Sequence, residues 1–259
     1  MKKVLITVFL LGIITNSYSQ DIFILEPEFK VVVKQNPRII NGIIPQKYPW
    51  KLSITSTVFW IGEQAAKNNP VPNDKSSWDS NWQSNYGGVD HPQIRRVGFT
   101  PQFTPKQNPF YVALPYNDID RGTNGIQTKK EAPLVIPWFE NTFQKSGTSV
   151  CKGRWVAIRA GDKTCYAQWE DCGPFRTDHW QYVFGDERPK PNINKGAGID
   201  ISPAVKDYLG VEGIDKVDWR FVEIYEIPGG PWKEYGNNNI FVADKAGTEK
   251  MYREWNSIK

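Results

Sequence analysis

The residue best placed to do chemistry is Asp200, in the run Gly198-Ile199-Asp200-Ile201-Ser202-Pro203-Ala204-Val205. The apolar residues around it read as a β-strand and Ser202-Pro203 as the start of a helix, so the spacing puts one carboxylate at a strand-to-helix junction. A carboxyl shielded from water there would have a raised pKa and could act as a general acid. The plainer alternative is that Asp200 only caps the helix. Aromatic side chains are the second resource. Trp60, Trp78, Trp82 and Tyr86 fall in one long loop and Trp180, Tyr182 and Phe184 in another. There they could stack on the apolar faces of sugar rings, or simply pack inside the loops.

Other chemistries are poorly supplied. The only histidines, His91 and His179, lack the clustered Cys, His or carboxylate spacing of a zinc site, so no metal and no other cofactor is expected. Cys165 has no partnering histidine to make it a nucleophile. The Gly-Gly pairs at 87–88 and 229–230 read as turns rather than phosphate-binding loops.

Lys2 and Lys3, the apolar run from Val4 to Ile14 and the small residues Ser17-Tyr18-Ser19 read as a secretory signal over residues 1–19. This predicts a secreted or periplasmic protein. No later apolar stretch is long enough to cross a bilayer, so no membrane association is expected once the signal is removed. The full chain carries a formal charge of +4, and removing Lys2 and Lys3 leaves +2, too weak to suggest nucleic acid as a partner. A chain of 259 residues, rich in glycine, proline and aromatics and with 11 tryptophans, suits a loop-rich, mainly β protein.

Residues 20–50 read as an N-terminal arm of short apolar runs separated by prolines. The first clear strand is Leu52 to Trp60, alternating and β-branched. Residues 62–107 form a first long loop. Phe110 to Pro115 reads as a strand, Leu134 to Phe139 as a strand or a short helix, and Arg154 to Trp169 as a hairpin turning at Gly161-Asp162. If Ala160 faces Lys163, opposed positions sum to 323 and Cys151 faces Cys172, so a Cys151–Cys172 disulfide is expected with Cys165 a buried thiol. A second loop covers residues 176–197, a helix Pro203 to Leu209, and a closing strand Val217 to Ile227. The barrel domain is thus expected over 51–230, followed by an extension over 231–259 with a short helix from Thr248 to Ile258.

Ser56-Thr57-Val58-Phe59, Ala113-Leu114-Pro115, Tyr166 to Pro174, Gly198 to Leu209 and Val217 to Val222 occur in the order and rough spacing of double-psi β-barrel proteins, and the chain resembles that group. It includes expansins, the rare lipoprotein A family, family 45 endoglucanases and a lytic transglycosylase. The resemblance implies a six-stranded double-psi barrel with long loops and short helices, and a glycan groove across one face. It carries the main functional acid onto Asp200, a second aspartate onto Asp171, and two first-strand groove residues onto Thr57 and Phe59. Phenylalanine at 59 departs from the family's tyrosine and removes a hydroxyl. The family's catalytic base falls near Trp60-Ile61-Gly62-Glu63, making Glu63 the nearest candidate, offset from the family position.

Cleaving a glycosidic bond needs a protonated carboxyl, and Asp171 beside Asp200 would supply the like charge that raises its pKa. An inverting hydrolase also needs a base, for which Glu63 is the candidate; a lytic transglycosylase can work with one carboxyl. Each residue keeps its plain alternative: Asp171 fixes a turn, Glu63 is a surface carboxylate, Thr57 is a strand residue. The expected substrate-binding set is Thr57, Phe59, Trp60, Trp82, Tyr86, Tyr166, Trp180 and Tyr182, and the expected partner a polysaccharide, peptidoglycan or β-glucan, bound by a monomer. The alternatives are a non-catalytic expansin-like wall-binding module and a structural scaffold.

Overall fold

The structure is a computed structural model and describes residues 47–66, 69–96, 99–123 and 125–247. The expected signal, the arm up to residue 46 and the expected helix from Thr248 to Ile258 lie outside the described residues. Six strands close into a barrel: β1 (Lys51–Val58), β2 (Tyr111–Leu114), β5 (Arg154–Ala160), β6 (Lys163–Cys172), β7 (Ala197–Ile201) and β8 (Asp215–Phe221). Around the barrel they run β1-β7-β2-β6-β5-β8, so β7 sits between β1 and β2 and the sheet has no edge among these strands. The sheet is mixed: β1 with β7 and β2 with β6 are parallel, and the other pairs are antiparallel. A small hairpin, β3 (Ile119–Gly122) and β4 (Gly125–Thr128), stands apart.

Alternation fills the barrel. Val112 and Leu114, Ala167 and Trp169, Ile199 and Ile201, and Val217, Trp219 and Phe221 belong to one buried cluster. Their neighbours along each strand face outward. Trp169 and Trp219 are fully buried, and each indole removes about 200 Å² from water, roughly 5 kcal/mol before the cost of ordering the chain. Outside the wall a second cluster gathers Phe59, Ile61, Trp82, Tyr86, Tyr111 and Ala113, joining β2 to the loop after β1. Short helices decorate the loops: α1 (Trp82–Tyr86), α2 (Ala132–Val135), α3 (Phe139–Thr142) and α4 (Trp180–Val183). The region Leu134 to Phe139, open between strand and helix from sequence, contains the end of α2 and the start of α3.

Helix α5 (Pro203–Leu209) follows β7 directly. Ser202 caps it, its side chain accepting from Val205 N, and Gly210 ends it in the left-handed region at φ 73°. After β8 the chain packs back on the barrel, with Trp232 inside the main cluster. Of the arm, residues 47–50 are described: Tyr48 is in the main cluster, and Trp50 lies under the Arg159 and Arg220 guanidinium groups.

The Cys151–Cys172 disulfide expected from the hairpin is absent: Cys151, Cys165 and Cys172 are all free. The register itself is the expected one, with Ala160 facing Lys163 and the ladder running to Arg154 opposite Trp169. Beyond that pair the two chains part. Residues 151–154 close a turn in which Arg154 N donates to Cys151 O, with Gly153 at φ 78°. β6 instead continues past Glu170, the extra residue of a bulge, and Cys172 pairs with Leu114 of β2. Extrapolating the hairpin register across that turn and bulge is what placed the two sulfurs opposite each other.

Candidate functional site

Four neighbouring strands bring the site together. The register sets Thr57 of β1 beside Asp200 of β7, Asp200 beside Ala113 of β2, and Ala113 beside Asp171 of β6. The two aspartates therefore lie at one level, two strands apart, with about 10 Å between their backbones. Asp200 alternates with Ile199 and Ile201, which are in the core, so its side chain points out of the barrel.

Thr57 donates its hydroxyl to Asp200 Oδ1. A proton on this carboxyl is thereby directed to Oδ2. On that side lies Gly173, where a Cβ would stand 3.1 Å from Oδ2, so glycine leaves the oxygen uncrowded. Burial pushes the Asp200 carboxyl up to about 7, and the charges of Asp171 and Glu63 push in the same direction against the Thr57 hydrogen bond. Asp171 is itself raised, to about 6, again chiefly by burial. Its Oδ1 accepts from Ser77 N and Cys172 N, both at 2.7 Å, which ties the first long loop to the end of β6.

Glu63 sits at the bend after β1. Its backbone N donates to Trp60 O at 3.1 Å, and its Oε2 accepts from Asn73 Nδ2 at 2.9 Å. Burial raises its pKa, while hydrogen bonds that its carboxylate accepts from the Trp60 backbone and the Asn69 and Asn73 side chains oppose the rise. Asp171 and Glu63 thus both act on Asp200 at one end of the barrel. The arrangement can hold a proton on Asp200 near neutral pH and offer it to a bound molecule, with charged carboxylates nearby to stabilise developing positive charge.

The aromatic residues are distributed differently. Phe59, Trp82 and Tyr86 are covered by protein in the second cluster, with Phe59 5.4 Å from the Tyr111 ring. Tyr182 is also fully buried: it accepts from Trp219 Nε1 and supports β7 beneath Gly198, where a Cβ would lie 2.7 Å from its hydroxyl oxygen. Tyr166 stacks near Trp232, five residues back along β6 and roughly 17 Å from Asp171. Trp180 is half-buried against the main core. Trp60 is half-buried three residues past Thr57, its ring 5.9 Å from that of His91. The structure therefore brings together Asp200, Asp171, Thr57 and Glu63, and leaves the aromatic set dispersed.

Residues outside the expected set complete the site. Gly173 and the Ser77 amide adjoin the two aspartates, and Phe175, two residues beyond Gly173, is 45% exposed. Gly173 and Phe175 were signalled by adjacency to Asp171; Ser77, 94 residues away, carried no such signal. Glu170 is buried and pushed up to about 7, chiefly by desolvation, with Oε1 accepting from Asn238 Nδ2. Its mark was a carboxylate directly before Asp171 in β6. Among the described residues no group of three or more His, Cys, Asp or Glu is arranged to hold a metal ion, and no helix is long and apolar enough to cross a membrane. No model of a known protein family matches the sequence, and no curated protein matches it.

Proposed function

We propose that this protein is an exported double-psi β-barrel protein that cleaves a β-1,4-linked wall polysaccharide, peptidoglycan or β-glucan, with Asp200 as general acid. The observation that carries the reading is the outward-facing Asp200 carboxyl, held by Thr57 and raised to about 7 by burial and by the charges of Asp171 and Glu63. The closed six-stranded mixed barrel, with β7 inserted between β1 and β2, is compatible with that superfamily. In this mechanism Asp200 gives its Oδ2 proton to the glycosidic oxygen as the C1–O bond breaks. A hydroxyl nucleophile, from water or from the sugar itself, attacks C1, and its proton returns to the Asp200 carboxylate. Asp171 remains charged and favours the oxocarbenium-like state.

The test is incubation with peptidoglycan and with soluble β-glucans, followed by mass spectrometry of released sugars, for the protein and for Asp200→Asn. Product is expected from the protein, with a loss of about 100-fold or more in the variant. Anhydro-muramyl ends would identify transglycosylation, and new reducing ends hydrolysis. Glycan binding without product in either protein would reject the catalytic reading.

A further inference from the structure

On the outer face of the β1–β7 pair, beside the Thr57–Asp200 site, Thr55, Arg188, Lys195 and Lys216 line a cleft of about 420 Å³. Three of the side chains in its lining are cationic and none is acidic. Two of the three charges are held in place by neutral groups. Arg188 donates through its two terminal nitrogens to Leu52 O at 2.6 Å and Ser53 O at 2.7 Å. Lys216 Nζ donates to Thr55 Oγ1 at 2.7 Å, and Thr55 in turn donates to Lys195 O.

Among the described residues, no carboxylate lies within ion-pair distance of Arg188, Lys195 or Lys216. Two of the neighbouring acids are paired or turned elsewhere. Asp218, two places along β8 on the same face, binds Arg159 at 2.6 Å and the Ser53 amide at 2.8 Å. Asp215 accepts from Lys216 N, and alternation puts its side chain on the opposite face. Next door, Lys51 is lowered to about 8 by burial; the Asp186 charge opposes the fall, and the smaller Arg188 effect adds to it.

A cleft with a fixed guanidinium, two ammonium groups and no internal counter-charge is built for an oxyanion. We infer that it is an anion subsite, which takes a carboxylate or phosphate group carried on a sugar chain that runs over β1 and β7 past Asp200. Thr55 stands two residues from Thr57 on β1, about 7 Å along the strand, so cleft and acid serve neighbouring units of one chain. The glycan part of this inference rests on the proposed function; the anion part does not.

The test is calorimetric titration at low ionic strength with a β-1,4-linked glucuronate oligomer (a cello-oligosaccharide oxidised at C6), its neutral cello-oligosaccharide parent and inorganic phosphate. It compares the protein with the double variant Lys195→Gln/Lys216→Gln and with Lys163→Gln, an exposed lysine of the β5–β6 hairpin. Arg188 is left intact because it anchors its loop, and thermal unfolding checks that the double variant folds. The glucuronate oligomer is expected to bind more tightly than its neutral parent, to weaken as salt is added, and to bind at least tenfold more weakly to the double variant while Lys163→Gln binds normally. Binding of inorganic phosphate without the glucuronate oligomer would overturn the glycan assignment. Equal affinity for the glucuronate oligomer in the protein and the double variant, or no anion binding by the protein, would overturn the subsite itself. Absence of cleavage products would count against the catalytic reading and leave this binding result standing.

Discussion

At the scale of single residues, the chemistry turns on how costly it is to ionise Asp200. Its folded pKa, about 7, is far above that of an aspartate in an unfolded chain, about 3.9. Below about pH 4 both states are protonated and the group is neutral to stability. Between about pH 4 and 7 the unfolded chain ionises first, so the folded state loses stability as the pH rises. Asp200→Asn keeps an oxygen to accept from Thr57 and removes the charge. It is expected to stabilise the protein by about 1–3 kcal/mol at pH 8 and to leave it unchanged near pH 3.5, read as the difference in urea midpoints at the two values. A variant less stable than the parent at pH 8 would mean that the carboxylate is not under strain there.

At the scale of elements, the site depends on the junction between β7 and α5. Ser202 accepts from Val205 N to cap the helix, donates to Pro109 O at 2.8 Å, and accepts from Tyr111 N at 3.3 Å. Ser202→Ala removes the cap and leaves buried backbone groups on β2 unpaired. It is expected to cost about 2 kcal/mol in chemical denaturation and to disturb the Asp200–Ala113 register beside it. This junction was legible from Asp200-Ile201-Ser202-Pro203, because a cap followed by proline has a local cause. The β5–β6 hairpin was legible too, since Gly161-Asp162 sets a register that holds to the Arg154–Trp169 pair. The Cys151–Cys172 pairing failed where the cause ceased to be local, at the turn before β5 and the bulge at Glu170. The hairpin of β3 and β4 escaped notice because Ile119–Gly122 and Gly125–Thr128 carry little alternation. Burial of Phe59, Trp82, Tyr86 and Tyr182 could not be read either. An aromatic ring in a loop has the same composition whether it meets a ligand or the barrel wall.

At the scale of the whole molecule, the first long loop is bolted to the barrel by a buried polar cluster. Asp90 pairs with Arg95 and accepts from the Tyr111 hydroxyl at 2.9 Å, and that hydroxyl accepts from Ile61 N. Arg95→Ala would strand the Asp90 charge out of water. The expected cost is about 3–5 kcal/mol of global stability, with faster hydrogen exchange across residues 59–96 than in the barrel strands. Uniform exchange in both regions would show that the loop is not a separate unit resting on this cluster.

The insertion of β7 between β1 and β2 also has a consequence in time. Thr57 and Asp200 are 143 residues apart in sequence, so their contact closes one of the long loops of the chain. Until β7 is seated, Asp200 is an ordinary, fully charged aspartate at neutral pH. A chain still being made, or one opened at this strand, holds no proton to give. In the proposed mechanism, latency of the acid is a by-product of topology: the protonated carboxyl exists while β7 is paired between β1 and β2 and is lost when it is not.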